Sequence, residues 1–144
     1  MLEKLKNYIF EGDFDLAKDL CDNMDYGELE HDLIVIAYDT ESVVVYFFVL
    51  YLISHKNKAE LHYIACDLLI NPLVDISGAY YIAYEHILKA VEIDSNNQKY
   101  KESLLLFYHI PEKLLPKEEA INIAKSILKA CTDNKAANSI ISEE

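Results

Sequence analysis

The chain contains no arginine and no tryptophan, and its 144 residues include only three glycines and three prolines. Because so few residues break helices over this length, the composition indicates long helices with short connections in one domain, residues 1–144. Arginine supplies the bidentate contacts that proteins make to guanine and to phosphate, so its absence disfavours direct binding to nucleic acid. We therefore expect an all-helical protein with no nucleic-acid partner.

Cysteine is also scarce. Cys21, Cys66 and Cys131 are far apart and form no CxxC motif, which fits free thiols in a reducing compartment better than a disulfide framework. The first residues, MLEKLKNYIFEGDFD, contain no apolar run long enough for a signal peptide. The longest apolar run, residues 43–53, is shorter than the roughly 20 residues of a membrane-spanning helix. The sequence therefore predicts a cytoplasmic protein without a membrane partner.

The sequence lacks the motifs of common catalytic and metal sites: GxSxG, the P-loop, the dinucleotide glycine pattern and HExxH. Glu28, His31 and Asp32 stand about one helical turn apart, an arrangement more typical of a protein surface than of a metal site. His62 precedes Cys66 by one turn and could in principle activate its thiol, but the setting IACDLLI is typical of a core. We therefore expect no enzyme activity, cofactor or metal, and a metal-dependent enzyme is the least favoured alternative.

Acidic residues dominate the charge, with 25 acids against 13 lysines and a formal net charge of −12. Residues 1–41 alone contain 12 acids and three lysines, a net charge of −9. Such a region is either a solvated helical face that keeps the protein soluble or a docking surface for a basic protein. In the second case, desolvated tyrosines beside the acids would anchor the partner. The candidate partner-binding residues are Asp13, Asp15, Asp19, Asp22, Asp25, Tyr26, Glu28, Asp32 and Tyr38.

Apolar residues recur at helical spacing along the whole chain. Residues 42–54, SVVVYFFVLYLIS, are rich in β-branched and aromatic side chains that would suit a strand, but their length and the helices around them favour a helix. Gly27 is expected to mark a turn, Asp13 to cap a helix, and Pro116 to stand in a first helical turn. The predicted helices are residues 1–10, 13–23, 28–39, 42–54, 58–70, 77–93, 98–110, 116–130 and 133–141.

Two segments, AYEHILKAVEIDSNN and AINIAKSILKACTDN, resemble the second helix and turn of a tetratricopeptide repeat. Ala17, Ala83 and Ala120 stand where that family places a small residue between crossing helices. The resemblance implies a right-handed solenoid of about four antiparallel helix pairs with a C-terminal capping helix. The family's turn proline is replaced by Ser95 and Thr132, and its first-helix Trp-Leu-Gly pattern is absent.

The whole chain, from GDFDLAKDL through GAYYIAYEHILKAVEID to EEAINIAKSILK, resembles the small immunity proteins encoded beside bacterial wall-associated or contact-dependent toxins. That resemblance implies a protein that binds and neutralises a cognate secreted toxin, with the basic C-terminal nuclease domain of the toxin as its partner. A tetratricopeptide-like adaptor or regulator that binds a peptide or another protein is the alternative.

Overall fold

The computed structural model describes residues 1–143, and this part of the chain folds into nine α-helices without a β-strand. The prediction of an all-helical fold is therefore confirmed. The helices are α1 (Leu2–Phe10), α2 (Phe14–Cys21), α3 (Tyr26–Thr40), α4 (Val44–His55), α5 (Ala59–Ile70), α6 (Ala79–Ile93), α7 (Gln98–His109), α8 (Lys117–Ala130) and α9 (Lys135–Ser142).

Three local predictions need correction. Gly27 lies in the first turn of α3 and does not mark a turn between helices; a Cβ there would come within 3.3 Å of Asp25 Oδ1, so glycine leaves room for the capping carboxylate. Asp13 occupies the N-cap position of α2, but its side chain makes no capping hydrogen bond. Pro116 is the N-cap of α8, one residue before the first helical turn in which it was predicted.

Contacts within the chain define two compact units, the first comprising Met1–His86 and the second beginning at Ile87, so that their boundary in the sequence falls within α6. In the first unit, α4 packs against α1, α2, α3 and α5. This central position explains why the segment SVVVYFFVLYLIS forms a helix with little polar character: Val45, Phe48 and Val49 are completely buried. Only one side of α4 faces outward, where Phe47 is 50% exposed.

In the second unit, α7, α8 and α9 pack against one another. Ala120, Ala124 and Ala137 are completely buried, and small side chains of this kind let helices approach closely. Across α7 and α8, Lys101 Nζ donates a hydrogen bond of 2.6 Å to Ser126 Oγ. Ala17, Ala83 and Ala90 are likewise completely buried, as expected of residues at helix crossings.

None of the helices in residues 1–143 is both long enough and apolar enough to cross a membrane.

Candidate partner-binding surface

Three of the candidate acids form a stripe along the outer side of α2. Asp15, Asp19 and Asp22 follow one another at spacings of four and three residues, which places them on one helical face. All three are exposed, while Ala17 and Cys21 on the opposite side of α2 are buried in the first unit. We call Asp15, Asp19 and Asp22 the α2 acidic stripe.

Two members of the α2 acidic stripe already have partners within the protein. Asp22 forms an exposed ion pair of 3.3 Å with Lys18, one helical turn earlier. Asp15 accepts a hydrogen bond from the Tyr51 hydroxyl of α4. Exposed ion pairs contribute about 0–1 kcal/mol, so a basic partner can replace the contact between Asp22 and Lys18 at small cost.

Asp25 has a structural role that the other candidate acids lack. Its Oδ1 accepts a hydrogen bond of 2.8 Å from the backbone N–H of Glu28, which caps the N-terminus of α3. Asp25 therefore caps α3 in the way that the sequence suggested Asp13 would cap α2, where no side chain makes a capping hydrogen bond. Because the Asp25 carboxylate is engaged in capping α3, we expect it to contribute to binding only through its charge.

The remaining candidates are spread along α3. Glu28 is exposed, whereas Asp32 is half-buried and contacts His31 Nδ1 at 3.3 Å. Tyr26 is half-buried at the beginning of the helix, and Tyr38 is 58% exposed near its end. Twelve residues separate the two tyrosines, about 18 Å along a helix axis. Tyr38 therefore lies well away from the acids that surround the N-terminus of α3.

A cleft of about 450 Å³ opens beside the α2 acidic stripe, within the first unit. Asp22 and Tyr26, both candidate residues, lie on its wall. Its size is in the range of sites that enclose a side chain or a small molecule. Apolar residues and charged or polar residues both contribute to the lining. The lining residues are Lys18, Cys21, Asp22, Met24, Tyr26, Leu29, Leu52, His55, Lys56 and Leu61.

A shallower hollow of about 500 Å³ lies at the turn between α1 and α2. Asp13 and Asp15 border it together with Leu16, whose side chain is 47% exposed. A carboxylate beside an exposed aliphatic surface suits a lysine or arginine side chain, because the long stem covers the apolar part and the cationic head meets the acid. The hollow thus extends the surface beyond the α2 acidic stripe.

A polar network built around two buried histidines lies in the first unit and was not anticipated from the sequence. The Tyr46 hydroxyl is 2.8 Å from His86 Nε2, the Nδ1 atoms of His86 and His62 are 2.9 Å apart, and His62 Nε2 is 2.6 Å from Asn57 Oδ1. We call these four residues the histidine clasp. Burial, and to a smaller extent the neighbouring His62, lowers the pKa of His86 to about 4.

The thiol that the sequence placed one turn after a histidine is buried in the core. Burial is the main cause that raises the pKa of Cys66 to about 12, so this thiol keeps its proton at neutral pH. His62, the histidine one turn earlier, bonds instead to His86 and Asn57. Within residues 1–143, no three histidine, cysteine or acidic side chains are grouped as metal ligands would be.

No family profile, curated protein or solved structure matches this chain.

The cleft and the histidine clasp could not be predicted from the sequence, because their residues come from separate parts of the chain. The walls of the cleft come from α2, α3, α4 and α5, which only the tertiary fold brings together. The members of the α2 acidic stripe, in contrast, lie within eight residues of sequence. All three were candidates from the sequence because acids are concentrated in residues 1–41, and the structure shows that they face solvent.

Proposed function

We propose that this protein is an immunity protein, which binds a cognate secreted bacterial toxin and neutralises it by covering its active site. The observation that carries the proposal is the exposed α2 acidic stripe in a unit of strong negative charge. We further propose that the helices stack as a tetratricopeptide-like solenoid, in which stacked pairs share one core and leave an extended surface for binding. The protein acts without catalysis of its own and works inside the cell.

A nuclease domain is the partner that this surface suits best. A nuclease active site is electropositive because it holds phosphate groups, and a row of carboxylates presents a similar arrangement of negative charge. Exposed charges at the edge of an interface mainly accelerate association, whereas a few buried anchors determine how long the complex lasts. In this proposal the α2 acidic stripe steers the partner, and the cleft beside Tyr26 receives one of its larger side chains.

The test begins with identification of the partner, by co-purification from the native cell and mass spectrometry, followed by binding kinetics with the purified partner. We expect a one-to-one complex whose association slows as salt rises, since the screening length is only about 8 Å at physiological ionic strength. The variant Asp19→Lys, Asp22→Lys, Glu28→Lys should associate more slowly and with a weaker salt dependence. In cells that carry the toxin, it should protect less well than the wild type.

A matched control changes the same amount of charge in the second unit: Glu92→Lys, Glu102→Lys, Glu112→Lys, all at exposed positions. Both triple variants should keep their helical content, because exposed substitutions usually alter stability by less than about 0.5 kcal/mol each. Equal loss of binding in the two variants would show that net charge alone matters. An unchanged association rate in the first variant, with full protection, would rule out the α2 acidic stripe as the interface. Binding only to short peptides would favour the adaptor alternative.

A further inference from the structure

The outward side of α4 carries apolar side chains where a surface helix normally carries polar ones. None of residues 42–54 is charged. Phe47 is 50% exposed and Leu50 is 38% exposed, and Tyr51, one turn after Phe47, is half-buried. A helix that is apolar on all sides is normally buried on all sides, and a cluster of exposed apolar side chains marks an interaction site. We call Phe47, Leu50 and Tyr51 the α4 apolar face.

The α4 apolar face continues onto α2. The rings of Phe14 and Tyr51 lie with their centroids 5.5 Å apart, and the Tyr51 hydroxyl donates a hydrogen bond to Asp15. Tyr51 also forms part of the wall of the hollow between α1 and α2, together with the exposed Leu16. The apolar face and the hollow therefore form one continuous surface within the first unit.

The spacing of the side chains on this surface suits a helix as its occupant. Val43, Phe47 and Tyr51 follow one another at intervals of four residues and so form a ridge along α4, with Leu50 beside it. Such a ridge fits the groove between the side chains of another helix. Since α4 already packs against α1, α2, α3 and α5, one further helix would cover its remaining side.

Charge selects among the possible occupants. Asp13 and Asp15 border the hollow, and Asp19 follows one turn later on α2. A second copy of the chain would bring the same excess of acids against this surface, and an anionic membrane would also be repelled. A basic helix is attracted, because the stems of its lysine or arginine side chains can cover Leu16 while their cationic heads meet the carboxylates.

We propose that the α4 apolar face is the docking site of a basic amphipathic helix, which covers Phe47 and Leu50 with its apolar side and meets the acids of α2 with its lysines or arginines. For the identity of the partner the inference rests on the proposed function, so that the helix belongs to the toxin. The Tyr51 ring centroid lies 4.4 Å from that of His55 on the wall of the cleft, so one partner can occupy both sites.

The probe is a synthetic peptide of about 18 residues, or about five helical turns, made only of leucine and lysine with the leucines along one side. A second peptide has the same composition in an order that gives no apolar side, and a third has glutamate in place of lysine. NMR titration of the full-length wild type should show the largest shift changes at the α4 apolar face and at Leu16. The second peptide should bind about tenfold more weakly, since it offers the same charge without the apolar side, and the third should not bind.

The decisive variant is Phe47→Ser, Leu50→Ser, and its matched control is Ile93→Ser, Leu106→Ser. The control removes two apolar side chains of similar exposure, 45% and 37%, from the second unit. The first variant should weaken binding of the amphipathic peptide by at least about tenfold, because it removes the apolar anchors, and the control by less than about twofold. Circular dichroism checks that both variants fold. Should the first variant fail to fold, the shift changes in the wild type decide the question.

Shift changes centred away from α4, or equal affinity for the first two peptides, would overturn the docking site. Dimerisation of the wild type in sedimentation experiments, if it required Phe47 and Leu50, would show that a second copy is the occupant. Binding to vesicles of phosphatidylcholine and phosphatidylglycerol with the same requirement would show that a membrane is. Either result would refute the basic helix.

The same variants separate this inference from the proposed function. A native toxin that is slowed by the change at Asp19, Asp22 and Glu28 but binds Phe47→Ser, Leu50→Ser as tightly as the wild type would refute the docking site and leave the immunity function intact. Peptide binding at the α4 apolar face in a protein that protects against no toxin would support the docking site and refute the immunity function.

Discussion

The two compact units of this protein use polar residues differently. Residues 1–86 contain 16 acids against 5 lysines, a net charge of −11, whereas residues 87–144 contain 9 acids against 8 lysines, a net charge of −1. The first unit also buries His62 and His86, while no histidine, lysine or carboxylate side chain is buried in residues 87–143. Almost all of the negative charge and the whole histidine clasp therefore belong to one unit.

The two units stabilise their helices with different kinds of residues. The second unit relies on buried small residues, on an interior of leucine, isoleucine and phenylalanine, and on asparagine caps at Asn97 and Asn134. The first unit adds a polar network in its interior and a dense acidic surface. Burying the polar network lowers stability through desolvation, and the dense acidic surface lowers it through repulsion between like charges. We infer that partner binding and sensitivity to acid are properties of the first unit.

The largest predicted effect concerns pH. The pKa of His86 is lowered by the fold, so the unfolded chain binds a proton more readily between pH 6.5 and about 4. Stability from this residue is therefore present above pH 6.5 and is lost as the pH falls toward 4, by an amount on the order of 3 kcal/mol. Urea unfolding at pH 7, 5 and 4 should show that the free energy of unfolding falls more steeply for the wild type than for His86→Gln. If the free energy of unfolding fell equally with pH in the wild type and in His86→Gln, the buried histidine would not make the first unit sensitive to acid.

An intermediate effect is expected at the buried alanines, one in each unit. Ala83→Leu and Ala120→Leu insert a large side chain into sites that are completely buried, and overpacking should lower the free energy of unfolding by about 1–3 kcal/mol in each variant. Thermal unfolding measures both losses, with the exposed Ala130→Leu as a control that should change little. Unchanged melting temperatures in both core variants would show that the repeat register assigned to these alanines is wrong.

The smallest effect concerns the helix caps. Asp25, Asn97 and Asn134 each accept a hydrogen bond from a backbone N–H of α3, α7 and α9 respectively. Replacement of any one by alanine should lower the free energy of unfolding by about 1 kcal/mol. Asp13→Ala provides the contrast, since its side chain makes no capping bond, and it should change stability by less than about 0.5 kcal/mol. A loss at Asp13 equal to that at Asp25 would contradict the assignment of the caps.

Much of the helical structure was predictable because its causes are local. Apolar periodicity located every helix to within a few residues, and the segment 42–54 was assigned correctly despite its β-branched residues. The concentration of acids in residues 1–41 was also visible from composition alone. The errors at Gly27, Asp13 and Pro116 concern single backbone positions at helix N-termini, where one capping side chain decides the geometry.

The sequence by itself determined that the protein is helical, where its helices lie, and that its negative charge is concentrated near the N-terminus. Only the tertiary structure decided which side chains meet. Tyr46 and His86 are 40 residues apart, and His62 and His86 are 24 apart, so neither contact leaves a local pattern. The cleft beside Tyr26 arose in the same way, from helices that are distant in sequence. Periodicity reports which face of a helix is buried, but the neighbour it is buried against depends on how the helices pack.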